Sequence, residues 1–416
     1  SRHYWTERIE PGKSTDTIRI YAPPEFNEFA DIKPGAWRIS APVPGNAHRY
    51  GPGPVFNIYD SDTVTMEDIE VWSAPGFTFG ISCNRGKLTF RRVNIRPKPG
   101  SGRLMSTWRD GFHVKGNSAT LLWDKCIVAG MNDDAFNIST HSSVVHKIIS
   151  PTQIEVRQKF PLGHIPWQSG TTIVAADEPA RRILGRTKIL KVQAGTEPPP
   201  IENKPAAPIS TLTFDQPIPG LTPGIMVWSP ESSNPDTTLR ECKIAMSCRL
   251  QSPVILDRCE VTALLWFYNE PVEGPFPSGV TVKNCLLRRG RGNSNLAIVF
   301  SGAPEKEAAS PDAASHPRAI HDIELKNNQI WGGFTMAGVE NVRLENNQFN
   351  EPGAAFELRN NLNFKMVNNR IIYSKKKSLF LFANSTSLLF YSIEDQVFEN
   401  NNGHKWSSRQ LSASNP

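Results

Sequence analysis

The chain reads as all-β: a parallel β-helix of short strands stacked coil upon coil, with a small antiparallel, β-barrel-like module inserted into it. Three observations carry that expectation. An eight-residue frame, apolar at its first, third, sixth and eighth positions, recurs along the 416 residues. Its copies fall about one coil of chain apart. Gly and Pro, 29 and 34 in number, punctuate the sequence closely enough to favour turns over long helices.

The frame is clearest at 64–71 (VTMEDIEV) and 88–95 (LTFRRVNI). It returns at 254–261, 280–287, 323–330, 342–349 and 364–371, and weaker copies begin at Leu121 and Thr237. The first and third positions alternate as a strand does, and the three-residue step to the sixth says that the chain turns a corner there. Start-to-start spacings of 24, 26, 19 and 22 residues suit coils that stack at roughly 4.8 Å.

The sixth position is Cys126, Cys242, Cys259 or Cys285 in the middle of the chain, and Asn328, Asn347 or Asn369 later. A buried column of thiols and a column of amides bonded along the stack would explain both runs. With Cys83 and Cys248, the six cysteines lack C-x-x-C spacing. They are expected to be free and structural, not a disulfide or metal framework.

Residues 1–139 are read as N-terminal coils, 140–230 as the inserted module and 231–416 as C-terminal coils. In the insert the frame gives way to alternating runs at 144–149, 154–156, 171–175, 183–192 and 211–214, separated by Gly/Pro turns. The Pro-rich 198–208 reads as a stiff exposed loop and the Ala/Ser/Pro-rich 302–317 as a loop between coils. Length alone would suggest two to three domains.

Composition narrows the function. A formal charge of +6 does not indicate nucleic acid. No apolar run is long enough for a membrane-spanning helix, and 38% hydrophobic residues suffice for a large core. The opening Ser1-Arg-His-Tyr-Trp5 has no apolar signal core, so an export signal would already have been removed. A nucleophile elbow, a phosphate-binding loop, H-E-x-x-H and a dinucleotide fingerprint are all missing. No metal or cofactor is expected, and Arg288-Arg-Gly-Arg291 reads as a solvated basic loop.

In a β-helix, residues one coil apart become neighbours. Asp110 lies 23 and 24 residues before Asp133 and Asp134, and each motif sits beside a glycine, Gly111 or Gly130. The three carboxylates are therefore expected to converge. Like charges held together raise one another's pKa, which supplies a protonated acid and an ionised base near neutrality, the division of labour that glycosidic cleavage needs. Asp-Asp beside Gly is also ordinary turn chemistry, or a calcium site.

The segments 73–77 (SAPGF), 95–103 (IRPKPGSGR), 106–110 (STWRD), 124–126 (DKC) and 130–137 (GMNDDAFN) resemble the core signature of family 110 of the glycoside hydrolases. More distantly they are similar to the polygalacturonase family. The resemblance is dense over about 70–140, looser to about 290, and beyond that rests on the coil pattern alone. It implies a right-handed parallel β-helix with barrel-like insertions and an inverting, exo-acting α-1,3-galactosidase, secreted or periplasmic. The implied substrate is an oligosaccharide or polysaccharide ending in α-linked galactose, algal and carrageenan-type galactans included. On this resemblance Asp133 is the general acid and Asp110 with Asp134 the base pair holding water, the acid and base carboxyls standing about 6.5–9.5 Å apart.

The chain departs from that family where Asn137-Ile-Ser-Thr-His-Ser142 replaces an expected His-Gly pair, and it starts later, which implies a longer precursor. Further substrate-binding candidates are Arg103 and His113, which would otherwise be a solvated Arg and a structural His, and Asn137 in the Asp-Asp motif. Trp108 and Trp266 offer flat faces for a sugar, or are simply core. Arg249, Glu270 and Glu273 fall in the coils expected beyond the Asp-Asp coil. Alternatives are a calcium-dependent polysaccharide lyase, a polygalacturonase-like endo-hydrolase, or a non-catalytic carbohydrate-binding β-solenoid. Oligomeric state is open, a homo-oligomer included.

Overall fold

A computed structural model describes residues 8–14, 18–21, 53–140, 143–158, 167–177, 182–195, 209–268, 273–289, 296–301, 318–350, 356–359, 361–372, 380–383, 389–391, 397–400 and 405–407. Among them the protein is all-β with parallel sheets, and its one helical element is the three-residue turn Pro230–Ser232. The loops expected at 198–208 and 302–317 lie outside the described residues.

The parallel sheets are two. The first takes one strand from each coil, running from Phe56–Tyr59 through Phe79–Ser82, Phe112–Lys115, Phe136–Ser139, Cys248–Leu250 and Leu265–Tyr268 to Leu296–Ser301 and onward. The second takes the recurrent frame and holds copies from Thr63–Val71 to Leu362–Val367 in register, Val254 against Val280, Ile323 against Val342, Val342 against Phe364. This stacking is the arrangement of a β-helix.

The corner inside the frame has a simple cause. Its fifth position, Asp68, Arg92, Lys125, Glu241, Arg258, Asn284, Asn327, Asn346 or Asn368, always adopts φ between 52° and 57°. One left-handed residue reverses the local twist and lets two short strands meet at an angle.

Behind each corner runs the expected column. All six cysteines are free and buried. The thiols of Cys126, Cys242, Cys259 and Cys285 donate to the carbonyls of Phe90, Trp123, Leu239 and Leu256. Asn328 Nδ2 donates to Asn347 Oδ1 and Val282 O, both at 2.8 Å, and Asn347 Nδ2 repeats the pattern toward Asn369 Oδ1 and Leu325 O at 2.9 and 2.8 Å. A second buried amide ladder, Asn84–Asn117–Asn234, runs elsewhere with Nδ2 to Oδ1 distances of 2.8 Å. Its members stand 33 and 117 residues apart, so no fixed period betrays them.

Inside the first sheet Phe56, Phe79, Phe112 and Phe136 stack with centroids 4.7, 4.8 and 5.0 Å apart. Each such pair adds about 0.5–1.5 kcal/mol to the burial of its rings. Between the coils of residues 136–139 and 248–250, the strands Ser143–Ser150, Gln153–Gln158, Thr172–Asp177, Arg182–Ala194, Ile209–Phe214 and Met226–Trp228 pair antiparallel and close on themselves. They enclose a separate apolar cluster around Ile154, Ile173, Leu212 and Val227. The sixth of these strands escapes sequence reading because Met226, Val227 and Trp228 are all buried and so show no alternation.

Candidate active site

The stacked phenylalanines place the carboxylates. Asp110 and Asp134 each lie two residues before a member of that stack, Phe112 and Phe136, which pair directly. Backbone bonds lock the turns together: Gly111 N–H donates to Asp134 O at 2.9 Å, and Ala135 N–H to Ser247 O at 2.7 Å. Gly111 is required, since a Cβ there would stand 2.7 Å from Ala135 O. Asp133, one residue off this register, projects from the turn after Gly130, where φ is 77°.

Asp110, Asp133 and Asp134 do converge: one oxygen from each lies within 4.8 Å of the others. The nearness of Asp110 and Asp134 follows from the register, because each lies two residues before strands that pair in register, and such strands stand roughly 4.8 Å apart.

The three differ in surroundings. The Asp110 side chain is 3% exposed and meets His113 Nδ1 through Oδ2 at 2.6 Å. Asp134, 7% exposed, accepts from Ser247 Oγ through Oδ1 at 2.7 Å, while its Oδ2 has no hydrogen-bond donor and stands 3.5 Å from Arg249 Nε. Asp133 is 35% exposed and stands 3.5 Å from Arg109 Nη1. Burial, reinforced by the charge of Asp133, raises Asp110 to about 8. Burial and the Asp110 charge raise Asp134 to about 7. These values belong to the coupled pair, which holds a proton near neutrality.

On the outward face of the sheet the strands add a polar wall. Lys115 follows His113 at strand spacing, and its buried Nζ donates to Asn137 Oδ1 at 3.0 Å, to Ser139 Oγ and to Glu273 Oε2 at 2.9 Å. Glu273 also stands 3.4 Å from Arg249 Nη1. Burial pushes Glu273 up, but Lys115 and Arg249 outweigh it and hold the carboxyl at about 2. Burial lowers the Lys115 ammonium against the pull of Glu273. Burial, aided by Lys115, holds His113 well below the usual imidazole range.

The structure thus gathers Asp110, Asp133, Asp134, His113, Asn137, Arg249 and Glu273. Trp266 lies 5.9 Å from the Arg249 guanidinium, and Trp108 is half-buried with its backbone N–H on Ala74 O. Arg103 is exposed, and its backbone N–H donates to Ser101 Oγ at 3.3 Å. Glu270, His141 and Ser142 lie outside the described residues. Sequence reasoning missed Lys115, Ser139 and Ser247. Lys115 was reachable by alternation from His113, and Ser247 by stepping back two residues from Arg249.

A search for matching family models finds none. The chain is 30% identical over 146 residues to alpha-1,3-galactosidase B of Bacteroides thetaiotaomicron, covering 31% of this chain and 23% of that protein. It is 23% identical over 265 residues to alpha-1,3-galactosidase A of Bacteroides fragilis, covering 58% and 42%, and 27% identical over 117 residues to that of Shewanella woodyi, covering 26% and 19%. The chain spans less than half the length of each of these relatives. Among solved structures, the gp54 tailspike of Acinetobacter baumannii bacteriophage AP22, in complex with capsular saccharide, matches 83% of this chain and 65% of the tailspike at 8% identity, with a TM-score of 0.27, too low to carry argument.

Proposed function

We propose that the chain is a glycoside hydrolase that releases terminal α-1,3-linked galactose from an oligosaccharide or polysaccharide. The observation that carries this reading is the carboxylate trio, two members buried with raised pKa and one open, in a chain whose relatives bear the name alpha-1,3-galactosidase. Secretion, a right-handed coil and the status of 140–230 as an inserted module belong to the same proposal.

Asp133 is the carboxylate that a bulky ligand can reach, so it is placed at the leaving oxygen. Asp110 and Asp134 are too buried to attack a sugar carbon, yet oxygens within 4.8 Å of each other can share one water through two hydrogen bonds. They hold and deprotonate that water, and inversion follows. Each cation touching the trio, Arg109 and Arg249, already faces a carboxylate, as does Lys115 beside it, which favours a neutral sugar over a uronate.

Two observations favour variants of this scheme. Oxygens within 4.8 Å of one another would also suit a retaining pair, and raised values fall on Asp110 and Asp134, the two carboxyls assigned here to water. One experiment resolves all three points. Wild type and Asp133→Asn are incubated with defined α-1,3-galactosides and the first-formed anomer is followed by proton NMR. β-Galactose from wild type and its loss in the variant are expected. First-formed α-galactose would establish retention, full activity of Asp133→Asn would move the acid to the buried pair, and no release from any galactoside would overturn the substrate.

A further inference from the structure

His113 stands against Asp110 with Nδ1 only 2.6 Å from Oδ2. At that distance a proton must lie between them, because two bare lone pairs would repel. Imidazolium would supply one, but the surroundings oppose it. Lys115 lies two residues along the same strand with its charge buried, and Arg109 sits in the preceding turn. The anions facing the ring from other elements are already engaged: Asp133 by Arg109, Asp134 by Arg249, and Glu273 by Lys115 and Arg249. From the preceding coil the uncharged Phe77 ring lies 4.4 Å from the imidazole centroid.

We propose that neutral His113 is the positioning residue of the trio, sharing one gap proton with Asp110 Oδ2 so that this carboxyl is held in one orientation and Oδ1 is left to meet water. The gap stays occupied in both protonation states of the pair. In the acidic state Asp110 Oδ2–H donates to Nδ1 and the other ring proton sits on Nε2. In the basic state the Nε2 proton has left to solvent, the gap proton has passed from Oδ2 to Nδ1, and Nδ1–H donates to the Asp110 carboxylate. One proton is released and His113 is neutral throughout, as burial and Lys115 require.

The effect on rate rests on the hydrolase reading; the proton arrangement does not. The wild-type chain labelled with ¹⁵N-histidine is titrated from pH 5.5 to 10, and ring nitrogens are read by long-range proton–nitrogen correlation, with His113 assigned by its absence in His113→Gln. The expected result is the Nε2–H tautomer at low pH, changing to Nδ1–H around the value of about 8 that burial gives Asp110, with no imidazolium signal. Asp110→Asn should freeze a single tautomer across the range. Imidazolium at pH 6, or one unchanging wild-type tautomer, would overturn the proposal even if no galactoside is hydrolysed.

In the hydrolysis assay, His113→Ala should lower kcat/KM by roughly tenfold or more, the scale on which groups orienting a functional side chain act. It should also displace the limb of the pH–rate profile that reports the base. His113→Asn, whose amide can occupy the place of Nδ1, should restore most of that limb's position. An unchanged profile in His113→Ala would sink the positioning role.

Discussion

The amide column at Asn328, Asn347 and Asn369 and the carboxylate pair at Asp110 and Asp134 are built by one device. Both put like side chains at equivalent positions on adjacent coils. In the column each amide is donor and acceptor at once: Asn347 Oδ1 accepts from the side chain and backbone N–H of Asn328, while its Nδ2 serves Asn369 and Leu325. A carboxylate can only accept when ionised, so the same stacking leaves Asp110 and Asp134 repelling each other and Asp134 Oδ2 without a donor. Replacing an amide by an acid at stacking distance turns a structural ladder into a store of electrostatic strain that binds protons near neutrality.

The comparison is broken most sharply by converting one column into the other. On the proposed mechanism Asp134→Asn lowers galactoside hydrolysis by about 10³-fold or more, since the oxygen assigned to water is replaced by an amide. It should leave the fold intact and alter the pH dependence of stability. Because Asp134 is raised to about 7 in the folded chain from an ordinary 3.8, the wild type loses stability as pH rises from 3.8 through 7. The variant lacks that loss, so unfolding free energies from denaturant titrations at pH 4 and pH 8 should move in its favour by about 1 kcal/mol or more between the two. A difference independent of pH would mean that the carboxylates are not strained by their stacking.

The converse substitution, Asn347→Asp, places a charge inside a satisfied amide ladder. It removes the Nδ2 donor to Leu325 and Asn369 and faces two carbonyl oxygens with an acid. A cost of about 3–5 kcal/mol at pH 7 is expected, falling as the pH is lowered and the new carboxyl is protonated. Equilibrium unfolding at pH 7 and pH 4 tests this; equal costs at both would remove charge as the cause.

The two columns also differ in how legible they were. Asn-Asn recurs at a fixed place in a repeated frame, and its halves have separate tasks: Asn327, Asn346 and Asn368 take the left-handed corner, while Asn328, Asn347 and Asn369 form the ladder. The frame therefore announced both coil and column. The carboxylates were legible only because Asp110 and Asp133-Asp134 happen to lie one coil apart with no insertion between them. Glu273 and Arg249, and with Arg249 its near neighbour Ser247, were reachable by counting coils past the strands from 143 to 228, but the Asn117–Asn234 contact was not, because neither Asn stands inside the repeated frame. The coil period gives which residues are neighbours, while their separation is dictated by strand pairing.

Both columns hang on the corner, and the smallest effect tests it. Lys125 occupies the fifth position of a weak frame copy with φ 56°, is 56% exposed and reaches Glu241 only at 3.8 Å, so its side chain contributes little. If the backbone alone sets the corner, Lys125→Gly should stabilise the chain by about 0.5–1 kcal/mol by relieving the left-handed conformation, whereas Lys125→Val, whose branched Cβ crowds that region, should destabilise it by about 1–2 kcal/mol. The corner residue itself points outward, so neither change should disturb Cys126 behind it or the carboxylates on the other sheet. Opposite signs in thermal or urea midpoints, with hydrolysis unchanged, are the expected outcome. If both variants destabilise equally, the corner is held by its side chain, and the coil repeat in this sequence records surface contacts instead of a backbone requirement.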